Sequence, residues 1–222
     1  MLNRALDTLD NYATRAGLVR RATWGDLPPN RAKLYGGRLS RGLPQYRTHV
    51  GVTPFHFSAK NIQHDLTDRF PVGDGTIASF QAEDVFEHIE LGQLSAVLQE
   101  IHRVLVPGGL FRMSVPDYRN SHYVARTVRT DDGRMLFDPG GGGRFEDGKV
   151  VGGGHVWFPT IELVRGLFEA SPFRDVRYLH YNSPAGAELQ AIDYSKGHVG
   201  RTPDHDLRTP GEALSIVVDA YK

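Results

Sequence analysis

Leu2, Leu6, Leu9, Ala13 and Ala16 recur at steps of three and four, which predicts an amphipathic N-terminal helix to about Arg21, ahead of the breaker Pro28-Pro29. Residues 1–32 are therefore expected to form a helical cover. From Lys33 onward short apolar runs alternate with helical stretches, the order of an α/β sheet with helices on both faces. Thr76 to Phe80 reads as a strand. Leu94, Val97, Leu98, Ile101 and Leu105 then mark one face of a helix that Pro107-Gly108-Gly109 should end, and Leu110 to Val115 is the next strand. Ile161, Val164, Leu167 and Phe168 follow Pro159 at helical spacing, while Val176 to Tyr181 and Leu214 to Ala220 are β-rich. Two stretches interrupt this alternation. Residues 119–154 are Gly-rich and poor in apolar side chains, so no packed element is expected across most of them and they read as an inserted lid or substrate loop. Residues 183–213 are polar and irregular and should wrap the sheet before the last strand.

The length of 222 residues is that of one large domain, 1–222, able to bury a core without staples. Lys plus Arg equals Asp plus Glu at 26 each, so no net field draws the chain to nucleic acid or to an anionic membrane. The absence of cysteine excludes a disulfide framework, a thiolate zinc site and a cysteine nucleophile. The beginning Met1-Leu2-Asn3-Arg4 lacks the apolar run of a signal peptide, and no later run approaches the roughly 20 apolar residues of a membrane span, so a soluble, cytoplasmic protein is expected.

The most informative block runs from Asp65-Leu66 through Asp84-Val85-Phe86-Glu87-His88-Ile89 to Glu100-Ile101-His102-Arg103-Val104-Leu105-Val106-Pro107-Gly108-Gly109 and Ser114-Val115-Pro116-Asp117. It resembles the second half of class I, Rossmann-like S-adenosylmethionine-dependent methyltransferases, and the resemblance covers roughly Lys33 to Lys222. It implies a doubly wound, seven-stranded, mostly parallel sheet whose last strand, Leu214 to Ala220, inserts antiparallel. It also implies S-adenosylmethionine as cofactor, with Asp65 at the adenine amino group and Ala82 and Glu83 near the cofactor. The Glu87-His88 pair follows the fourth strand.

The chain departs from the family at two points. Lys33-Leu34-Tyr35-Gly36-Gly37-Arg38 is the candidate first strand and cofactor loop; Gly36 and Gly37 permit close backbone approach, but the preceding acid and the third glycine are missing. The second strand, Thr48 to Pro54, ends without the carboxylate that would accept from ribose hydroxyls, leaving Thr53 or a backbone group to replace it.

His88 and His155 are the catalytic candidates, His88 as a general base and His155 as the residue closing the long loop toward the acceptor. Asp117, Tyr118 and Trp157 are expected on the substrate side, and Phe80, Tyr118 and Trp157 could wall a sulfonium through cation–π attraction, although each also reads as core. Asp204-His205-Asp206 with His155 has metal-ligand chemistry, but an ion-paired turn with Arg201 and Arg208 is the simpler reading and no metal is expected. Gly143 to Lys149 has phosphate-loop spacing and fails, because Val150 stands where a Ser or Thr must hold magnesium. These features lead to a methyltransferase acting on a small molecule or glycan precursor, with association into a homodimer left open. A non-catalytic member binding a ligand or protein partner in the same crevice is the alternative.

Overall fold

The structure is a computed structural model that describes residues 2–39, 43–55, 59–206 and 211–222, with side chains from residue 8 onward. The helical periodicity is realised in α2 (Leu94–Val104), which buries Leu94, Val97, Leu98, Ile101 and Val104, and in α4 (Ile161–Glu169), which buries Ile161, Val164 and Phe168. Helix α2 ends at Leu105 itself, whose extended backbone starts the strand β5 (Leu105–Pro116). Pro107-Gly108-Gly109 thus lies inside that strand as an irregularity, not at the helix terminus, with pairing that jumps from Ile77↔Leu105 to Ser79↔Leu110.

The remaining strands of the main sheet are β1 (Ala32–Gly36), β2 (His49–Thr53), β3 (Asn61–Gln63), β4 (Ile77–Glu83), β10 (Asp175–Ser183), β11 (Gly186–Leu189) and β12 (Ser215–Tyr221). Their order is β11-β10-β12-β5-β4-β1-β2-β3. β3, β2, β1, β4 and β5 run parallel, and β12 lies antiparallel between β5 and β10, as expected. The sheet has eight strands and not seven, because β11 turns back on β10 from within the stretch expected to be irregular.

One face of the sheet carries the main apolar core, in which Leu34, Val52, Phe80, Phe111, Met113, Ile216 and Val218 meet α2 and α4. Each such side chain contributes about 1.5–3 kcal/mol by leaving water. On the opposite face the described connections between β1, β2 and β3 contain no helix longer than the turn Pro44–Tyr46. Asn61 secures the first of these loops by bonding both backbone groups of Leu39. The cover there is the segment 192–206. Arg112 donates from Nε and Nη2 to the two Asp219 oxygens at 2.7 Å each, and from Nη1 to the carbonyls of Asp193 and Gly197. Gln81 donates to the His198 carbonyl, and Glu83 accepts from the Gly200 and Arg201 amides.

Residues 119–154 are more ordered than their composition suggests. They form α3 (Ser121–Arg126) and two hairpins, β6 (Val128–Arg129) with β7 (Met135–Phe137) and β8 (Arg144–Glu146) with β9 (Lys149–Val151). Few apolar residues suffice because Tyr123 and Asp138 are buried and anchored by side-chain bonds. The N-terminal helix α1 (Leu2–Arg15) is shorter than expected, and it does not bury the face its pattern proposes: Leu9 is 66% exposed, Ala16 is exposed and Ala13 only half-buried, while Asp10 and Thr14 are buried. The side chains of Leu2 and Leu6 lie outside the described residues. No helix among the described residues is long and apolar enough to cross a membrane.

Candidate functional site

Strand order reverses between β1 and β4, and in open α/β sheets the ligand crevice lies beyond the carboxyl ends at that point. A cleft of about 590 Å³ is found there, lined among others by Gly37, Arg38, Thr53, Phe55, Asp65, Asp84 and His88. Gly37 has φ +119°, and a Cβ at this position would stand 3.0 Å from Val85 Cγ2, so glycine keeps this wall open. Its N–H donates to the Val52 carbonyl at 2.7 Å. Asp84 leaves β4 with φ +53°, a left-handed conformation that costs about 1–3 kcal/mol in a residue with a side chain. It is held by its amide bond to the Ser114 carbonyl and by Arg201, whose Nε lies 3.0 Å from Oδ2. Asp65 is exposed at the cleft, and its Oδ1 accepts from the Thr67 amide and hydroxyl, fixing the carboxylate in a local turn.

At the cleft wall the exposed His88 meets two buried polar residues, Glu87 and His155. The His88 and His155 rings meet edge to face with centroids 4.8 Å apart. His88 Nδ1 is 3.1 Å from the Gly154 carbonyl oxygen, and His155 Nε2 is 3.6 Å from Glu87 Oε1. Glu87 is fully buried, with no hydrogen-bond partner for either oxygen. Burial, and then the neighbouring Asp84 charge, pushes its carboxyl well above the usual carboxylate range. Burial and the His88 ring lower His155 to about 4, so its imidazole is neutral at physiological pH. On its far side His155 Nδ1 meets Tyr118 Oη at 2.5 Å, and Tyr118 donates to Asp138. Burial alone would raise Asp138, but the bidentate Arg126 and the Tyr118 hydroxyl outweigh it and hold the carboxyl below its ordinary value.

Gly37 and Asp65 line the cleft; Gly36 instead packs against Leu66 and Phe80. Ala82 is fully buried in the core, and Glu83 points to the opposite face, where burial raises its carboxyl and the 200–201 amides and Tyr46 hold it. Both were expected near the cofactor, but adjacent strand residues point to opposite faces and neither of these two side chains reaches the cleft.

On the substrate side, Tyr118 supports His155. Asp117 is buried and accepts from Arg119 and Asn182, so its role is to tie β5 to β10. Trp157 packs in the core and donates Nε1–H to the Phe86 carbonyl, and Phe80 is likewise core. Asp204 and His205 sit with Tyr194 and Thr202, away from His155, while Arg201 pairs with Asp84. Arg208 lies outside the described residues. Gly143 to Lys149 forms part of the β8–β9 hairpin. Arg38 belongs to the candidate cofactor loop, where the sequence assigns it no role, while Arg126 and Asp138 are not singled out by the sequence. The only local signal was the Asp138-Pro139-Gly140 turn, in which Asp138 caps the Gly140 amide.

A second cavity of about 320 Å³, lined by Met135, Phe145, Val150 and Phe158, shares Glu90 with the first and opens between the inserted hairpins.

No protein-family model matches the chain, and no curated protein matches it. Among solved structures, an S-adenosylmethionine-dependent methyltransferase of Archaeoglobus fulgidus aligns with a TM-score of 0.51 at 11% identity, over 97% of this chain and 93% of its own. Another from Thermotoga maritima aligns with a TM-score of 0.50 at 14% identity, over 100% of this chain and 92% of its own. What this chain shares with both is the Rossmann-like fold with its antiparallel strand near the C-terminus.

Proposed function

We propose that the protein is an S-adenosylmethionine-dependent methyltransferase acting on a small molecule or glycan precursor. The observation that carries this reading is the cleft at the β1/β4 switch point, where Gly37, Thr53, Asp65 and Asp84 converge. Its volume lies within the roughly 300–1,000 Å³ of ordinary ligand sites. Asp65 would accept the adenine amino group and Thr53 would replace the ribose carboxylate. Arg38 would take the amino-acid carboxylate, a task otherwise done by a helix N-terminus, of which the described residues of the β1–β2 connection offer only the turn Pro44–Tyr46. When bound, the cofactor supplies an electrophilic methyl group. The protein's part is chiefly alignment, which supplies much of the rate in a direct displacement. The acceptor would enter by the second cavity past Glu90, bringing its nucleophile toward His88.

The test is calorimetric titration with S-adenosylmethionine and S-adenosylhomocysteine. Micromolar binding of both, weakened about 10-fold in Asp65→Ala, is expected from the loss of one such contact. Unchanged affinity in a folded Asp65→Ala protein would remove the adenine assignment. Absence of binding would favour the second reading, a non-catalytic ligand-binding member, to which the missing ribose carboxylate already lends support.

A further inference from the structure

We propose that Glu87, His88 and His155 form a site for a divalent transition-metal ion, zinc being the ion whose geometry they suit, at the acceptor end of the cleft. One ligand atom from each lies within 4.8 Å of the others. The inference goes beyond methyl transfer and stands or falls separately from it.

The hydrogen-bond inventory carries the argument. A carbonyl can only accept, so the bond to Gly154 places an N–H on His88 Nδ1 and leaves Nε2 as the nitrogen that can offer a lone pair to a metal ion. Tyr118 gives its one proton to Asp138, which Arg126 keeps ionised. The Tyr118 oxygen must therefore accept from His155 Nδ1, and His155 Nε2 also carries a lone pair. That lone pair faces Glu87 Oε1 at 3.6 Å, in a place where Glu87 has no other partner. Two acceptors opposed in a buried site require either a proton on the carboxyl or a cation between them, and the two neighbouring imidazoles make a metal ion the occupant proposed here. A tetrahedral zinc ion with bonds of about 2.0–2.1 Å sets its ligands about 3.3 Å apart, near the 3.6 Å between His155 Nε2 and Glu87 Oε1, while the full set, spread over up to 4.8 Å, would draw in on binding.

The surroundings have the form of a supported ligand set. Each imidazole donates its other N–H to a fixed oxygen, the arrangement that orients metal-bound histidines. The ring of His155 is pressed by Gly141, where a Cβ would come within 2.6 Å of Cγ, and the Val156 amide ties its segment to the Glu87 carbonyl. Three protein ligands leave a fourth position, and because His88 lines the cleft that position faces the acceptor. An ion there would bind an acceptor hydroxyl and lower its pKa.

The experiment uses the full chain without a histidine tag, stripped with chelator and titrated with zinc and, separately, with cobalt(II). About one equivalent of either ion should bind, with visible d–d bands typical of low-coordinate cobalt. Glu87→Gln should abolish those bands. Tyr118→Phe, which keeps all three ligands and removes one supporting bond, should weaken zinc roughly 10–100-fold. Failure of wild-type protein to bind either ion would overturn the proposal, leaving a protonated Glu87 that donates to His155. Binding that Glu87→Gln leaves intact would overturn it as well. Since no cofactor is added, the result is independent of whether S-adenosylmethionine binds.

Discussion

On one face of the central sheet Phe80, Phe111 and Val218 meet two amphipathic helices; on the other, Gln81, Glu83, Arg112 and Asp219 hold the main chain of an irregular strap. Both faces exclude water, but by different physics. Apolar burial is non-directional and tolerates many sequences of the right size. The polar face depends on individual donors and acceptors, and a buried group there that loses its partner forfeits more than the bond was worth. The first face should therefore yield gradually to substitution and the second abruptly.

The largest effect is expected for Arg112→Ala, which strips Asp219 of its buried partner and frees the Asp193 and Gly197 carbonyls. Breaking such a pair costs about 3–5 kcal/mol, read as a lower urea midpoint. Replacing both partners with apolar residues, Arg112→Met with Asp219→Leu, should recover part of that loss. If the double variant is no better than Arg112→Ala, the grip on the strap and not the stranded charge dominates. On the apolar face Leu98→Ala removes one core side chain and should cost about 2–4 kcal/mol. The contrast sharpens if hydrogen exchange speeds up only in residues 193–201 for Arg112→Ala and across the domain for Leu98→Ala. Glu83→Gln comes next, at about 1–2 kcal/mol, because an uncharged amide oxygen still accepts from Gly200 while the stronger, charge-assisted bond is lost.

The same division decides what the residues alone could convey. Helices α2 and α4 were legible because Val97, Leu98 and Ile101, or Ile161, Val164 and Phe168, keep a 3.6 period that follows from burial against one face. The parallel order and the inserted β12 followed from the resemblance. By contrast, the alternation Phe111-Arg112-Met113-Ser114-Val115 reads like a strand with one wet face, yet Arg112 and Ser114 are as buried as their neighbours. That residues 183–213 wrap the sheet was legible, but nothing local in Asp193 to Arg201 says which strand side chains it will meet, since its partners are main-chain groups, which every residue carries. At the site, Glu87, His88 and His155 stood out by type, but the support from Tyr118, Asp138 and Arg126 depends on contacts across the fold. Ala82 and Glu83 show the reverse limit, because a motif gives the strand and not the direction of each side chain.

The smallest expected effect concerns His49, which lies on the polar face beneath Tyr46, 5% exposed and with Nδ1 lacking a hydrogen-bond partner. Burial, and then the charges of Lys33 and Lys60, lowers its pKa from 6.5 to about 4. In the unfolded chain the ring protonates near its ordinary value, so between pH 6.5 and 4 the unfolded state binds the extra proton and stability falls as pH falls. Above that window both states are neutral and His49 adds no pH dependence; below it both are protonated and the loss is complete. At pH 5.5 the loss relative to pH 7.5 should be about 1 kcal/mol. His49→Phe retains the edge-to-face contact with Tyr46 and removes the titration. The difference in urea unfolding free energy between pH 7.5 and 5.5 should therefore shrink by that amount in the variant. An identical pH difference in both proteins would mean that His49 gains its proton without leaving the fold, and that the polar face is open to water along this edge.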